Sequence, residues 1–471
     1  MHQCYTMVVV TLRKLVASAL PCLLLLLLVL AWPRASWAAG DGSERDTPIP
    51  LTLVDLPFDS AGWPSMMQSL DLGYAATRLP TWGIVRGFDR VRNPSLRLGL
   101  GIMTTYAVNA PLVLVTGWTH EEWHRAVLSH RGIDSRNGIY HPSAWSNGLI
   151  SVDRVTDEDL ARLKAEHPAD TVRLMMAGLE AQDGLARRIG DHAFLYGDRG
   201  VWRGPLYFSE TMMFPALQLN FLNALYYYGT CTGPGSDRVT DAENRNTLTV
   251  RSRDFTGLDC TAFVYDLHHP DEPYADRGPH PYGEGVDRYR SWEDLDGRER
   301  SFLRRQLAFH FVDLLDPQLF AIDGFRLAAR RGAQGDRFVA RLGHSLTPFG
   351  YSLDAEVGLR RRRFTGLFTL RNGINAERWF PTATARVLDV GLRRVPLAFD
   401  FDVDAWLQPD RLRYDERHAR PGGRLAATVR WRAVPGASLD LTLDGKTAGY
   451  VPGNVYLERN LSLRLGATVR L

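Results

Sequence analysis

The chain reads as an α+β protein, a mainly helical N-terminal part followed by an antiparallel β-barrel of roughly eight strands. Three observations predict this. Between about residues 50 and 330 the apolar positions recur at helical spacing, over a stretch long enough to bury its own core. From about Asp336 onward the period falls to two. The run Arg330-Arg-Gly-Ala-Gln-Gly-Asp336 punctuates the change with glycine and charge, as a hinge between a domain at 40–330 and another at 336–471.

A leader precedes both domains. Arg13 and Lys14 stand before an apolar run from Leu15 to Trp32, and Ser36-Trp37-Ala38 offers a small-residue cleavage site. That order of charge, apolar run and small residues predicts a signal peptide over residues 1–39. Export would leave Cys231 and Cys260 in the mature chain. In an oxidising compartment their simplest state is a disulfide, closing a loop of about 30 residues and contributing on the order of 3 kcal/mol. A two-cysteine metal site is the alternative.

The helical part carries the chemistry. His120-Glu121-Glu122-Trp123-His124 places two imidazoles four residues apart, hence on one face of a helix. Leu112-Val113-Leu114-Val115 before it and Ala126-Val127-Leu128 after it suit a buried helix that breaks its apolar character only at the motif. The run resembles the HExxH zinc metallopeptidases. That resemblance implies Zn²⁺ held by His120 and His124, with Glu121 as the general base toward a metal-activated water. Glu122 and Arg125 depart from the stricter family pattern, which prefers uncharged residues there.

A catalytic zinc needs a third protein ligand. No Gly-x-x-His follows the motif at metzincin spacing, so the resemblance narrows to gluzincins, which take a Glu from a later helix. Residues 170–186 read as such a helix, with Met175, Met176, Leu179 and Leu185 as its apolar stripe. Ala177 and Gly178 there are small enough to admit another helix closely. Glu180, set among apolar neighbours, is the candidate third ligand; an ordinary solvent-facing Glu is the alternative. His310, between Phe309 and Phe311, reads as a core histidine with its hydrogen bonds met.

In the C-terminal part, Phe399, Phe401, Val403 and Ala405 alternate with Asp400, Asp402 and Asp404, and Leu439, Leu441 and Leu443 alternate with Asp440, Thr442 and Asp444. Leu461, Leu463, Leu465, Ala467, Val469 and Leu471 share one face of the last strand. Such segments are long enough for tilted transmembrane strands, with apolar rows toward lipid and charged rows pairing inside. A soluble β-sandwich is the competing reading. The terminal run Arg464-x-Gly466-x-x-Val469-x-Leu471 resembles the assembly signal of bacterial outer-membrane β-barrels, departing from it by ending in Leu rather than Phe.

Together these features predict a zinc-dependent metallopeptidase of the bacterial envelope. Its barrel would lie in the outer membrane and its helical domain would face the periplasm rather than the cell surface. Its partners would be a peptide or protein substrate and the lipid bilayer. The alternative is a non-catalytic outer-membrane structural or assembly protein in which the HExxH run is coincidental. A formal charge of +3 and the absence of a long basic run give no case for nucleic acid.

Overall fold

A computed structural model describes residues 48–109, 113–140, 151–197, 200–209, 211–246, 248–327, 336–361, 364–391 and 395–470. The expected signal peptide over residues 1–39 and most of the expected hinge lie outside the described residues. The architecture is α+β. A 12-stranded antiparallel sheet runs in the order β1-β14-β13-β12-β11-β10-β9-β8-β7-β6-β5-β4, and a separate two-stranded sheet pairs β2 (Arg136–Asn137) with β3 (Val152–Asp153).

Eight long strands form the body of the sheet, in sequence order β7 (Arg337–Thr347), β8 (Gly350–Arg361), β9 (Phe364–Ile374), β10 (Trp379–Gly391), β11 (Leu397–Pro409), β12 (Ala419–Val434), β13 (Ala437–Lys446) and β14 (Asn460–Arg470). The C-terminal part thus has the expected strand number. The sheet is nevertheless larger than the alternation alone implies, and it is open. β1 (Pro48–Leu56), from the N-terminal part, pairs antiparallel with β14 from Pro48↔Arg470 to Leu56↔Leu463. At the other end the short strands β4 (Gly200–Arg203), β5 (Leu206–Ser209) and β6 (Ile322–Arg326) extend it from β7. The helical part therefore contributes strands at both edges, against the expected division near residue 330.

Along the long strands the apolar residues point outward. Leu439, Leu441 and Leu443 are 50%, 43% and 52% exposed, whereas Asp444 on the opposite face is 2% exposed. The same inversion holds at Leu425, Phe401, Leu370 and Val357, all exposed, against buried Asp404, Glu356 and Asp354. The inner face is satisfied by ion pairs. Arg424 bridges Asp404 (3.0 Å) and Asp444 (2.8 Å), and Arg464 also reaches Asp444 (2.8 Å).

The sheet curls around one helix. Counting helices in chain order, α1 is Met66–Phe88, α2 Pro94–Asn109, α3 Val113–His130, α4 Asp157–Glu166 and α5 Pro168–Tyr196. The C-terminal half of α5 touches strands from opposite ends of the sheet. Arg187 pairs with Asp354 of β8, Asp191 with Arg341 of β7 and Arg386 of β10, and His192 meets the Pro48 carbonyl of β1 at 3.3 Å. Polar side chains on this half of the helix face a polar sheet interior, so a helix fills the space around which the sheet curls.

The N-terminal half of α5 emerges from the sheet and packs along α3. Around this pair lie α6 (Phe214–Cys231), α7 (Pro234–Asn246), α8 (Asp259–His268) and α9 (Gly297–His310). Local signals set their ends. Ser65 opens α1 with a reciprocal capping box to Gln68, and Asp296 opens α9 the same way with Glu299. One apolar core runs from Trp123, Val127 and Leu174 in the helices to Leu346, Phe349 and Tyr450 at the near end of the sheet. The apolar run Leu98–Trp118 is divided between α2 and α3. Among the described residues no single helix is long and apolar enough to cross a membrane, although Ser95–Asn109 and Leu114–His130, bent by 44°, pass that test as a pair.

Candidate metal centre

The HEEWH run lies in the middle of α3, as its flanks predict. Its two charged oddities answer each other: Arg125 Nε donates to Glu122 Oε2 at 2.5 Å, while Asn137 Nδ2 and Tyr140 Oη donate to Glu122 Oε1 at 3.0 and 2.9 Å. Glu122 is thus a buried structural carboxylate, and the imidazoles on the next face stay free for other work.

That face meets α5 at Gly178. An added Cβ there would lie 2.2 Å from His120 Nε2, so the helices approach this closely only because residue 178 has no side chain. The small residues of α5 thus do what their size suggests.

Glu180 does not take part. Two residues on from Gly178 it stands about 200° around the helix, on the side facing the β13–β14 connection. It accepts from Arg173 Nη2 at 3.0 Å and from the Gly453 N–H at 2.9 Å. The carboxylate beside the imidazoles is instead Asp259, the first residue of α8. Its Oδ2 is 2.8 Å from His120 Nε2 and 3.1 Å from His124 Nε2. His120, His124 and Asp259, all buried, each offer a donor atom within 4.8 Å of the others, and they could hold a metal ion. A tetrahedral ion with bonds of about 2.0–2.2 Å separates its ligand atoms by roughly 3.3–3.5 Å, close to the spacing here.

Sequence reasoning missed Asp259 because it lies 135 residues from His124 and belongs to no spacing motif. The one available signal was its neighbour. Cys260 is joined to Cys231, at the end of α6, with a Cα separation of 6.2 Å. This disulfide ties the start of α8 to α6, and the Asp259 N–H donates to Tyr227 Oη of α6 at 2.8 Å. The pairing expected of Cys231 and Cys260 therefore also fixes the third member of the cluster.

Hydrogen bonding on the far side of each ring turns both Nε2 atoms toward Asp259. His124 Nδ1 is 2.6 Å from the Leu174 carbonyl, which can only accept, so Nδ1 carries a proton and Nε2 is the nitrogen that faces Asp259. That contact, 3.1 Å long, needs positive charge on or beside Nε2, supplied by a proton or by a metal ion. His120 Nδ1 lies 3.2 Å from the Gln182 side-chain amide, whose Oε1 is buried without a partner. Turning that amide by 180° lets Oε1 accept from Nδ1–H and leaves His120 Nε2 free to ligate.

Electrostatics agree. Burial holds the His120 imidazole below its ordinary pKa, partly countered by Asp259. Burial alone would raise Asp259, but His124 and His120 more than offset it and keep the carboxylate ionised. An ionised carboxylate at Asp259 and an imidazole that gives up its proton readily at His120 are what metal ligation requires. Glu121 Oε1 lies 4.0 Å from His120 Nε2. Burial, reinforced by Asp254 and Asp259, pushes its carboxyl well above the usual range. Burial and Asp259 likewise push Glu243 of α7 up to about 7. His310 is the satisfied core histidine the sequence suggests, bonded to Asp313 (2.9 Å) and the Phe221 carbonyl (3.1 Å).

No family profile, curated protein or solved structure matches this chain.

Proposed function

We propose that this chain is a zinc-dependent hydrolase of the bacterial outer membrane that cleaves peptide bonds. His120, His124 and Asp259 would hold the ion, with Asp259 in the role that gluzincins give to Glu. The observation that carries this reading is the convergence of two imidazole Nε2 atoms on one buried carboxylate oxygen. Zinc bound there would acidify a water and polarise a substrate carbonyl. Glu121, next to His120 on the same helix, would accept the proton of the attacking water and return it to the leaving amine, once the charge of a bound ion had lowered the carboxyl that burial and its acidic neighbours raise. Gln182 and the Leu174 carbonyl orient the two rings, and Tyr227 and the disulfide hold Asp259 against them.

The membrane assignment rests on the outward apolar rows. The eight long strands have 10 to 16 residues each, enough to cross the hydrocarbon layer when tilted. Apolar outside and ion-paired inside is the arrangement that lipid favours and water does not.

The decisive test pairs metal content with peptidase activity. A Glu121→Gln protein should keep its metal and lose hydrolysis of an unstructured protein substrate by two or more orders of magnitude, the usual weight of a general base. Hydrolysis at the wild-type rate in that variant would remove the peptidase reading.

A further inference from the structure

The apolar surface of this protein does not end at the sheet. On β7, outward-facing Leu342 is 44% exposed, and the backbone of His344 on the same strand bonds Asp313 (2.8 Å) in the turn Phe311–Leu315. That turn and the next, Pro317–Phe320, present Phe311, Leu315 and Phe320 at 49%, 60% and 56% exposure. Gln218 of α6 donates to the Leu319 carbonyl at 2.6 Å, so α6 lies directly alongside, exposing Leu222 (54%) and Tyr226 (74%). Tyr106 of α2 bonds Gln218 in turn, and α2 exposes Leu98 (50%) and Met103 (73%). Exposed apolar side chains on neighbouring, hydrogen-bonded elements therefore lead from the outer face of β7 to α2. Solvated proteins rarely carry such a run without something to cover it.

What covers it is indicated by charge. Where α1 turns into α2, the segment 86–97 holds Arg86, Arg90, Arg92 and Arg97 against the single acid Asp89. Arg90 and Arg92 are exposed, and the Arg86 guanidinium lies 5.8 Å from the ring centre of Trp82. Apolar side chains bordered by arginine and tryptophan are the composition of a helix lying at the level of lipid headgroups. We propose that α2 and the exposed face of α6 are seated in the same bilayer as the sheet, with Arg90 and Arg92 against lipid phosphates. This rests on the membrane reading above. It adds that the metal centre works at the membrane surface: the ring of Tyr227, next to exposed Tyr226, is 6.1 Å from that of His120. A centre so placed meets substrates that are themselves held at the membrane.

Site-specific quenching tests the proposal. The full chain, with Cys4→Ser and Cys22→Ser, is reconstituted into nanodiscs of phosphatidylglycerol and phosphatidylcholine containing spin-labelled lipid. An environment-sensitive fluorophore is attached in turn at Met103→Cys on α2, Leu441→Cys on the sheet and Glu158→Cys on exposed α4. Quenching at 103 and 441 but not at 158 is the expected result. In an Arg90→Glu/Arg92→Glu background, quenching at 103 should fall at least about twofold and that at 441 should not change. Quenching at 441 with none at 103 would overturn this inference and leave the membrane reading standing; quenching at neither would overturn both.

Discussion

Replacing Gly178 by Ala isolates the geometry on which the proposed metal centre depends. The new Cβ would sit 2.2 Å from His120 Nε2 and 2.3 Å from both Cδ2 and Cε1, where ordinary contact begins at 3.4 Å, so the ring or the helix must give by roughly 1.2 Å. His120 is 8% exposed and held on its other side by Asp259, which leaves little room to retreat. Overpacking of this kind destabilises by about 1–3 kcal/mol, while Ala for Gly within a helix returns roughly 0.8–1.0 kcal/mol. The net loss of stability should therefore be small, about 0–2 kcal/mol. Metal binding is far less tolerant, because ligand distances must hold to within about 0.2 Å. Gly178→Ala should thus unfold at nearly the wild-type denaturant concentration yet bind zinc at least about 100-fold more weakly in a competition titration with a chromophoric chelator. Unchanged zinc affinity in a folded variant would refute the close approach of α5 to His120.

Three further outcomes follow from the same structure. Gln182→Leu removes the amide that orients His120 and should weaken zinc binding about 10- to 100-fold, with Gln182→Glu recovering most of it; equal affinity in all three proteins would deny the positioning role. Arg341→Ala leaves Asp191 and Glu356 buried without their shared guanidinium and should lower unfolding stability by about 3–5 kcal/mol, whereas a loss below about 1 kcal/mol would contradict that network. The third concerns pH. Burial would raise the Glu458 carboxyl, but its hydrogen bond with His130 and the charges of His130 and Arg131 more than offset this and hold it at about 2, below the ordinary 4.5. A depressed carboxylate stabilises the fold above pH 4.5, and that contribution fades as the pH falls toward 2. Because Glu458 is 43% exposed, the effect should stay under about 1 kcal/mol. Glu458→Gln should flatten the acid limb of the stability–pH curve over that window; an identical curve would show the pair to be inert.

Much of this architecture is legible in the sequence where the signal is local. The period-two rows of Phe399–Ala405 and Leu439–Leu443 predict strands and their outward face, because alternation is a property of the strand itself. His120 and His124 are legible because one helical turn sets their spacing. What the sequence hides depends on azimuth and on distant pairing. The helix around Glu180 is predictable, but which of its faces meets α3 is decided by Gly178, and Arg173, seven residues before Glu180, claims the carboxylate. Asp259 reaches the imidazoles only through a disulfide and the fold of α6. The N-terminal strand Pro48–Leu56 takes its place by pairing with β14, at the far end of the chain, so a reading that divides the chain near residue 330 cannot find it. Likewise, nothing in the alternation of the strands reveals that α5, through Arg187 and Asp191, fills the space they enclose.

In the proposed function His120, His124 and Asp259 form one metal site, and Glu180 lies outside it. Elemental analysis of purified, zinc-equilibrated protein tests this most directly, comparing wild type with Asp259→Asn and Glu180→Gln. We expect one zinc per chain in wild type and in Glu180→Gln, and essentially none in Asp259→Asn. Zinc retained without Asp259 but lost without Glu180, or no zinc in any of the three, would contradict it.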